Sequence, residues 1–450
     1  MENVFVSTYA TQAVQAQTIQ PDLPEVSKRQ IIVAIVSSVL GFSLDLFDYS
    51  VLLYVASTIG PLIFPSTIPT LSLAGVFAAY ATSAVSRPFG AAIFGNYADR
   101  HGRKRALFIA AAGVGILTAS MGAMPTVRQV GLLSPILFLI LRLAQGFFVG
   151  GVPAATHTIG TETVPPSWRG WTSGLIGGGG HGVAQLLCAG VFLIMSSAFP
   201  GPAFAVWGWR CMFFTGFLAA FLALYVLYNL IESPLFVILQ KKKAVVKKAP
   251  VRIVFSKQYR GIVLVNTIAV FGGASMSFVG PGYTPTFLAV INHLSRSSIG
   301  HILLWGGLGC VILPPLVGQL SEMYGRRKAF WGVGILGVIV YSFAYTALAN
   351  AHSIMAIAAF ALPLIWLGDM AIAPTLVFLN ERFPTAIRAT GTAMSWNLGF
   401  AIGSFGPLII SLLSPKISDI PSRLMWYSLF SVACLIIGPM LCKETRGHYE

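Results

Sequence analysis

Two aspartates stand three residues apart inside one apolar run. The run is Ile31 to Ala56, and its centre reads Gly41-Phe42-Ser43-Leu44-Asp45-Leu46-Phe47-Asp48-Tyr49-Ser50. It is long enough to cross a bilayer as a helix. A carboxylate at that depth costs roughly 2.5–3.5 kcal/mol on insertion scales, so two of them need a reason. Positions i and i+3 share one helix face, which lets both acids turn inward. Such an acid is a candidate for binding a proton or gating a solute; the alternative is a buried structural ion pair. Further ionisable residues interrupt other apolar runs. From the limits of those runs, Asp45, Arg142, His181 and Asp369 lie near mid-depth, Asp48 one turn further out, and Arg87 toward the opposite end. Lipid would not tolerate charges at these depths, so they should face one cavity. An arginine fork suits a carboxylate better than lysine does, which favours an anionic solute on Arg142. Tyr49, Gln145, His181, Tyr283, Trp396 and Asn397 are the further candidates for contacting it.

The elements that hold these residues follow from composition. The chain has 450 residues, 56% hydrophobic and 10% charged, against about 25% charged in soluble domains. The apolar residues form many blocks, and hydropathy predicts about twelve spans. They are 31–56, 69–95, 106–124, 131–157, 171–197, 209–231, 261–291, 298–319, 329–349, 353–379, 390–414 and 422–442. In span 7, Gly280-Pro281-Gly282 and Pro285 can break or kink the helix. The expected divisions are a tail 1–30, a six-helix bundle 31–231, a linker 232–260, a second six-helix bundle 261–442 and a tail 443–450.

The net charge of +15 would suggest nucleic acid in a soluble domain. Here the bases crowd into alternate loops, and topology explains them without nucleic acid. With both termini on one side, that side holds most of the 29 Lys and Arg, including eight between Lys241 and Arg260; the other side's loops hold Arg128, Arg296, Lys416 and Arg423. The positive-inside rule then makes both termini cytoplasmic. The five cysteines have no metal or disulfide spacing. No signal-peptide pattern precedes the first span. No P-loop, metal cluster or hydrolytic triad occurs, which argues against an ATP-driven pump or an enzyme.

The two halves repeat. Gly95-Asn-Tyr-Ala-Asp99-Arg100-His-Gly102-Arg103-Lys104 is echoed by Gly318-Gln-Leu-Ser-Glu322-Met-Tyr-Gly325-Arg326-Arg327, and Glu162-x-x-Pro165-x-x-x-Arg169 by Glu381-x-x-Pro384-x-x-x-Arg388, at nearly one offset. Two such matches imply halves related by an axis along the membrane normal. In the loops, the glycines allow a tight turn, Asp99 can accept hydrogen bonds at a helix start, and Arg103, Lys104 and Arg105 can latch one half to the other or only fix topology.

The stretch Gly95 to Arg105 resembles the signature loop of the major facilitator superfamily. Arg87-Pro-Phe-Gly90, Leu141-Arg142-Leu-Ala-Gln145-Gly146, Val206-Trp-Gly-Trp-Arg210, Glu232-Ser-Pro234 and Glu381-Arg-Phe-Pro384-Thr look like its metabolite:proton and sialate/monocarboxylate:proton symporter branches. Those branches often carry an acid after the glycine pair of span 4, where this chain has Gly150-Gly151-Val152-Pro153; Asp45-x-x-Asp48 is closer to the sialate/monocarboxylate branch. The resemblance implies an all-α fold of twelve transmembrane helices in two pseudo-symmetric halves, with solute bound between them near mid-depth. It also places spans 1 and 4 side by side, so that Arg142 partners Asp48 or Asp45, and it makes Asp45, Asp48, Arg142 and Asp369 the proton-coupling set. The repeated loops, with Arg169, Glu322, Arg326, Arg327, Glu381 and Arg388, become gates. The expected activity is uptake of a small organic acid with protons by a monomer in the cell membrane, with no cofactor beyond the proton. The alternative is a carrier or exporter of an uncharged or amphipathic solute on the same fold.

Overall fold

The computed structural model describes residues 28–101, 103–152, 164–217, 220–221 and 250–446. Glu162 and Gly102 lie outside the described residues; for Gly95 only the helical backbone is described, and the side chains of Asp45, Asp99, Arg100, Arg103, Lys104 and Arg105 lie outside the description. The described chain crosses the apolar layer almost entirely as helix. In lipid only the helix satisfies its own backbone groups within one segment.

The helices of the first half are α1 (Lys28–Ile63), α2 (Pro69–His101), α3 (Arg103–Gly122), α4 (Leu133–Val149), α5 (Arg169–Ala198) and α6 (Trp209–Phe214, after a π turn at Phe204–Gly208). The second half contributes α7 (Arg260–Val290), α8 (Arg296–Tyr324), α9 (Arg326–Ala349), α10 (Ile354–Asn380), α11 (Thr385–Gly403, continued by Gly406–Leu412) and α12 (Ile420–Met440). Among the described residues, eight helices are long and apolar enough to cross a membrane. Several outrun the hydropathic limits, because polar ends continue the helix past the apolar layer. Span 4 does the reverse: it is expected to reach 157, yet α4 stops at Val149 and the chain turns through Gly150–Val152. Pro153 follows directly, and a residue preceding proline is disfavoured in helix.

Of the break or kink that the sequence allows in span 7, the break does not occur. α7 runs unbroken through Pro281 and Pro285. Its glycines serve packing instead: a Cβ on Gly280 would strike the Leu364 carbonyl of α10. The irregular backbone lies elsewhere. α5 contains a π turn at Leu175–Gly179, and α10 opens into turns at Ala371–Pro374. Non-helical backbone at membrane depth is tolerated where protein surrounds it.

Contacts between halves run along α5 and α8, which pack antiparallel. Gly182 meets Cys310, Gly300 meets Leu193, and at the end where α1 starts and α12 finishes, Gly170 meets Gly318. A Cβ on either of the last two would enter the other's backbone. Gly318→Leu should therefore force this seam open. Cysteines introduced beside it should label faster than in the parent, and equal labelling would show the seam does not depend on that approach. On the other flank α2 meets α11, and α1 meets α7.

Candidate functional site

Asp48 and Arg142 do meet. Arg142 Nη1 lies 3.2 Å from Asp48 Oδ2, with the side chains 1% and 8% exposed respectively. The same Nη1 donates to Gln145 Oε1 at 2.9 Å, and Gln145 Nε2 donates to Thr118 Oγ1 at 2.7 Å. Gln145 thus orients Arg142 and ties it to α3. The rings of Phe138 and Phe213 lie 5.5 and 5.8 Å from the guanidinium carbon, a packing that favours a partly desolvated cation. Arg142 Nε and Nη2 and Asp48 Oδ1 are buried without a hydrogen-bond partner among the described residues. One nitrogen thus makes the ion pair, and the fork that would grip a carboxylate edge-on is unused. Unmet buried donors of this kind are costly, so they favour an anion that supplies two oxygens.

A second acid lies between the halves. Asp369 of α10 is fully buried. Its Oδ1 lies 2.7 Å from His181 Nδ1 of α5 and accepts from Ser277 Oγ of α7 at 2.7 Å, while Oδ2 accepts from Gln185 Nε2 at 2.8 Å. With its proton on Nδ1, His181 donates to the carboxylate, so three donors hold one acid. His181 and Gln185 belong to the first half, Ser277 and Asp369 to the second. The π turn of α5 ends just before His181, and the turns in α10 begin just after Asp369. Such irregularities free backbone geometry where two helices must present polar groups to each other.

An aromatic layer separates and joins these two acids. Tyr49 packs on Tyr80 (4.7 Å between centroids), His181 (5.6 Å) and Phe278 (5.4 Å). Phe278 then meets Phe400, which stacks on Trp396. Arg87 lies over Phe400 at 5.7 Å, bringing it to the same layer. Tyr283 is displaced along α7: its hydroxyl meets Ser411 Oγ at 3.2 Å and its ring packs on Phe77. Asn397 bonds back to the Ala393 carbonyl of its own helix.

The second-half copies of the repeated motifs come together at the end where α12 finishes. Gly325, with φ of 105°, turns α8 into α9. Arg326 then grips Glu381 through Nε (3.1 Å) and Nη2 (2.7 Å), and reaches Glu322 at 2.7 Å. Thr445 Oγ1 also donates to Glu381. Arg388 Nε donates to the Phe383 carbonyl, and Arg327 lies over Trp331. Arg169, the first residue of α5, lies beside Gly170 at the seam with α8.

Glu444 was not anticipated. It receives the backbone N–H groups of Arg326 and Arg327 at 2.9 and 3.1 Å. Burial pushes its carboxyl up, but these N–H groups with those of Arg446 and Thr445 pull it below the ordinary value. A lowered carboxyl stabilises above the ordinary carboxylate range, and that stabilisation is lost as pH falls through the folded value. Glu444→Gln should flatten the acid side of a melting-temperature profile, whereas an unchanged slope would remove Glu444 from that role.

Several central groups lack an obvious sequence signal. Gln185 is one turn past His181 and is visible by that spacing. Ser277, Thr118 and Phe278 carry no motif.

Comparison with known proteins accords with this geometry. A family model described as "Sugar (and other) transporter" matches residues 33–252. The inner membrane metabolite transport protein YhjE of Escherichia coli (strain K12) is 28% identical over 418 residues, covering 92% of this chain and 94% of that protein. The citrate-proton symporter of Klebsiella pneumoniae is 26% identical over 426 residues, 92% of each chain. The shikimate and proline/betaine transporters of Escherichia coli (strain K12) match at 28% and 26%. Among solved structures, the major facilitator proton:xylose symporter XylE, bound to 6-bromo-6-deoxy-D-glucose, superposes with a TM-score of 0.72 at 19% identity, covering 93% of this chain and 97% of that one. Helices in two repeating halves, ionisable groups held between and within them, and end-to-end similarity to carriers lead to one assignment: the chain is a multi-pass membrane protein with the fold of major facilitator transporters and is similar to them along nearly its whole length.

Proposed function

We propose that this transporter takes up a small carboxylate together with protons by alternating access. The observation that carries the reading is the half-used guanidinium of Arg142, paired to Asp48 through Nη1 with Nε and Nη2 buried and unpartnered among the described residues. A proton arriving on Asp48 weakens that pair and leaves Arg142 to receive an anion through its fork. When the halves rock, the solute and then the proton leave on the other side. Citrate, shikimate, proline and betaine, the solutes named for the relatives, all carry a carboxylate.

Residues 31–231 and 261–442 are the rocking bodies and 232–260 the tether, with both termini in the cytoplasm as the loop charges require. The Arg326–Glu322–Glu381 cluster, Arg169, Arg327 and Arg388 form the gate on that side, with the first-half counterparts Gly95, Asp99, Arg100, Gly102, Arg103, Lys104 and Glu162. The unit that transports is the monomer. Asp369, held by His181, Gln185 and Ser277, is the tie that must loosen each cycle. Asp369→Asn puts a donor where three donors converge, at a cost of about 1–3 kcal/mol per buried group left unmet. Its transport rate should fall well below the parent's while the folded protein still binds solute, and an unaltered rate would exclude the tie from the cycle.

The testing experiment is a thermal-shift screen of the purified protein with citrate, shikimate, betaine, xylose and amphipathic amines at two pH values. Carboxylates should stabilise, more strongly at the lower pH. Stabilisation by xylose or amines and none by carboxylates would overturn the reading.

A further inference from the structure

Away from the central site, an open cavity of about 680 Å³ lies where α7 begins, the link from α10 to α11 passes and α12 ends. Lys257, Arg260 and Arg382 line it, together with Gly261, Leu264 and Leu441. Among the described residues no acidic side chain is in its wall and none lies within ion-pair distance of these three cations. Arg382 is held in place, its Nη1 donating to Asn266 Oδ1 at 2.8 Å and its guanidinium 5.3 Å from the Phe378 ring. Lys257 and Arg260 are exposed. At Gly261 a Cβ would meet nothing within 4 Å, so the floor between the cations is open. Leu264 and Leu441 stand in the same wall, 61% and 62% exposed.

We infer that this cavity seats the headgroup of an anionic phospholipid, phosphate toward Lys257, Arg260 and Arg382 and acyl chains along Leu264 and Leu441. Three uncompensated cations in one wall select a phosphate. Exposed leucines beside them give no advantage to a small free anion, but they extend the site for an amphiphile. Basic recesses between helix ends at a membrane surface bind anionic headgroups in this way. The site is separate from the Asp48–Arg142 and His181–Asp369 groups, and its occupancy does not depend on which solute is carried.

The test uses full-length protein in neutral detergent, with lipid binding read by native mass spectrometry. Phosphatidylglycerol, phosphatidylcholine and glycerol phosphate are compared on the parent, on Lys257→Ser/Arg260→Ser, and on the charge-matched Arg128→Ser/Arg423→Ser at the other end of the bundle. The parent should retain phosphatidylglycerol over phosphatidylcholine. Lys257→Ser/Arg260→Ser should weaken that binding roughly thirtyfold at the usual gain per basic residue, with the control unaffected and glycerol phosphate unbound. Arg260→Gln alone, a single exposed change, should weaken it in the same direction and serves if the double variant does not fold. Equal retention of both lipids, equal loss in the control, or no loss in the site variants would overturn the proposal. Glycerol phosphate binding as tightly as phosphatidylglycerol would make this a free-anion site and overturn it too.

Discussion

Asp48→Asn in proteoliposomes should abolish carboxylate accumulation driven by a pH gradient while leaving counterflow intact. Asparagine keeps the size and hydrogen-bonding capacity of the side chain and removes the titratable group. The halves can still rock with solute bound, so exchange of labelled for unlabelled solute continues. Net uphill movement stops because no proton rides with the solute. With one proton per solute, each pH unit supports about tenfold accumulation, so the expected change is from roughly tenfold to none. The charge of Arg142 then stands beside a neutral neighbour, and the variant should bind carboxylates at a pH where the parent does not. Full accumulation by Asp48→Asn would remove this acid from coupling.

Arg142→Lys should raise the KM for carboxylates by about ten- to a hundredfold while the protein stays folded. Lysine keeps one positive charge near Asp48 Oδ2, so the buried acid is not abandoned. Removing a partner of a buried ion pair outright costs about 3–5 kcal/mol, so Arg142→Ala would confuse a folding defect with a binding one. What lysine lacks is the Nε–Nη2 fork, the edge that has no partner among the described residues. Loss of hydrogen bonds to a charged group is worth about 1.5–3 kcal/mol, which gives the expected range. A KM within twofold of the parent, with transport retained, would show that the fork does not hold the solute.

How much of this was legible beforehand differs by residue. The helices were visible because each apolar block is long and carries few charges, and the two halves because Glu322, Arg326 and Glu381 repeat a first-half pattern. The Asp48–Arg142 pair was anticipated through the family resemblance, since no spacing links residues on two different helices. The depth of Asp369 was readable but its partners were not: His181 and Ser277 reach it from other helices, and that choice belongs to packing. Gly280-Pro281-Gly282 allowed either a break or a kink in span 7 because proline removes a donor, and with neighbours pressed against those glycines α7 stays whole. The broken backbone falls in α5 and α10, beside His181 and Asp369. The glycine run 177–180 is a sequence signal at the first, and nothing in the sequence marks the second. Glu444 escaped notice because it lies past the last span, where hydropathy says nothing.

The account turns on protons moving with the solute, and that can be measured without naming the physiological substrate. Wild-type proteoliposomes holding a trapped pH indicator are given citrate or shikimate outside, with no initial gradient of pH or potential. The account predicts acidification inside that begins with solute entry, scales with it, and is absent in Asp48→Asn. Solute entry with no change in internal pH, or the same acidification in Asp48→Asn, would contradict it.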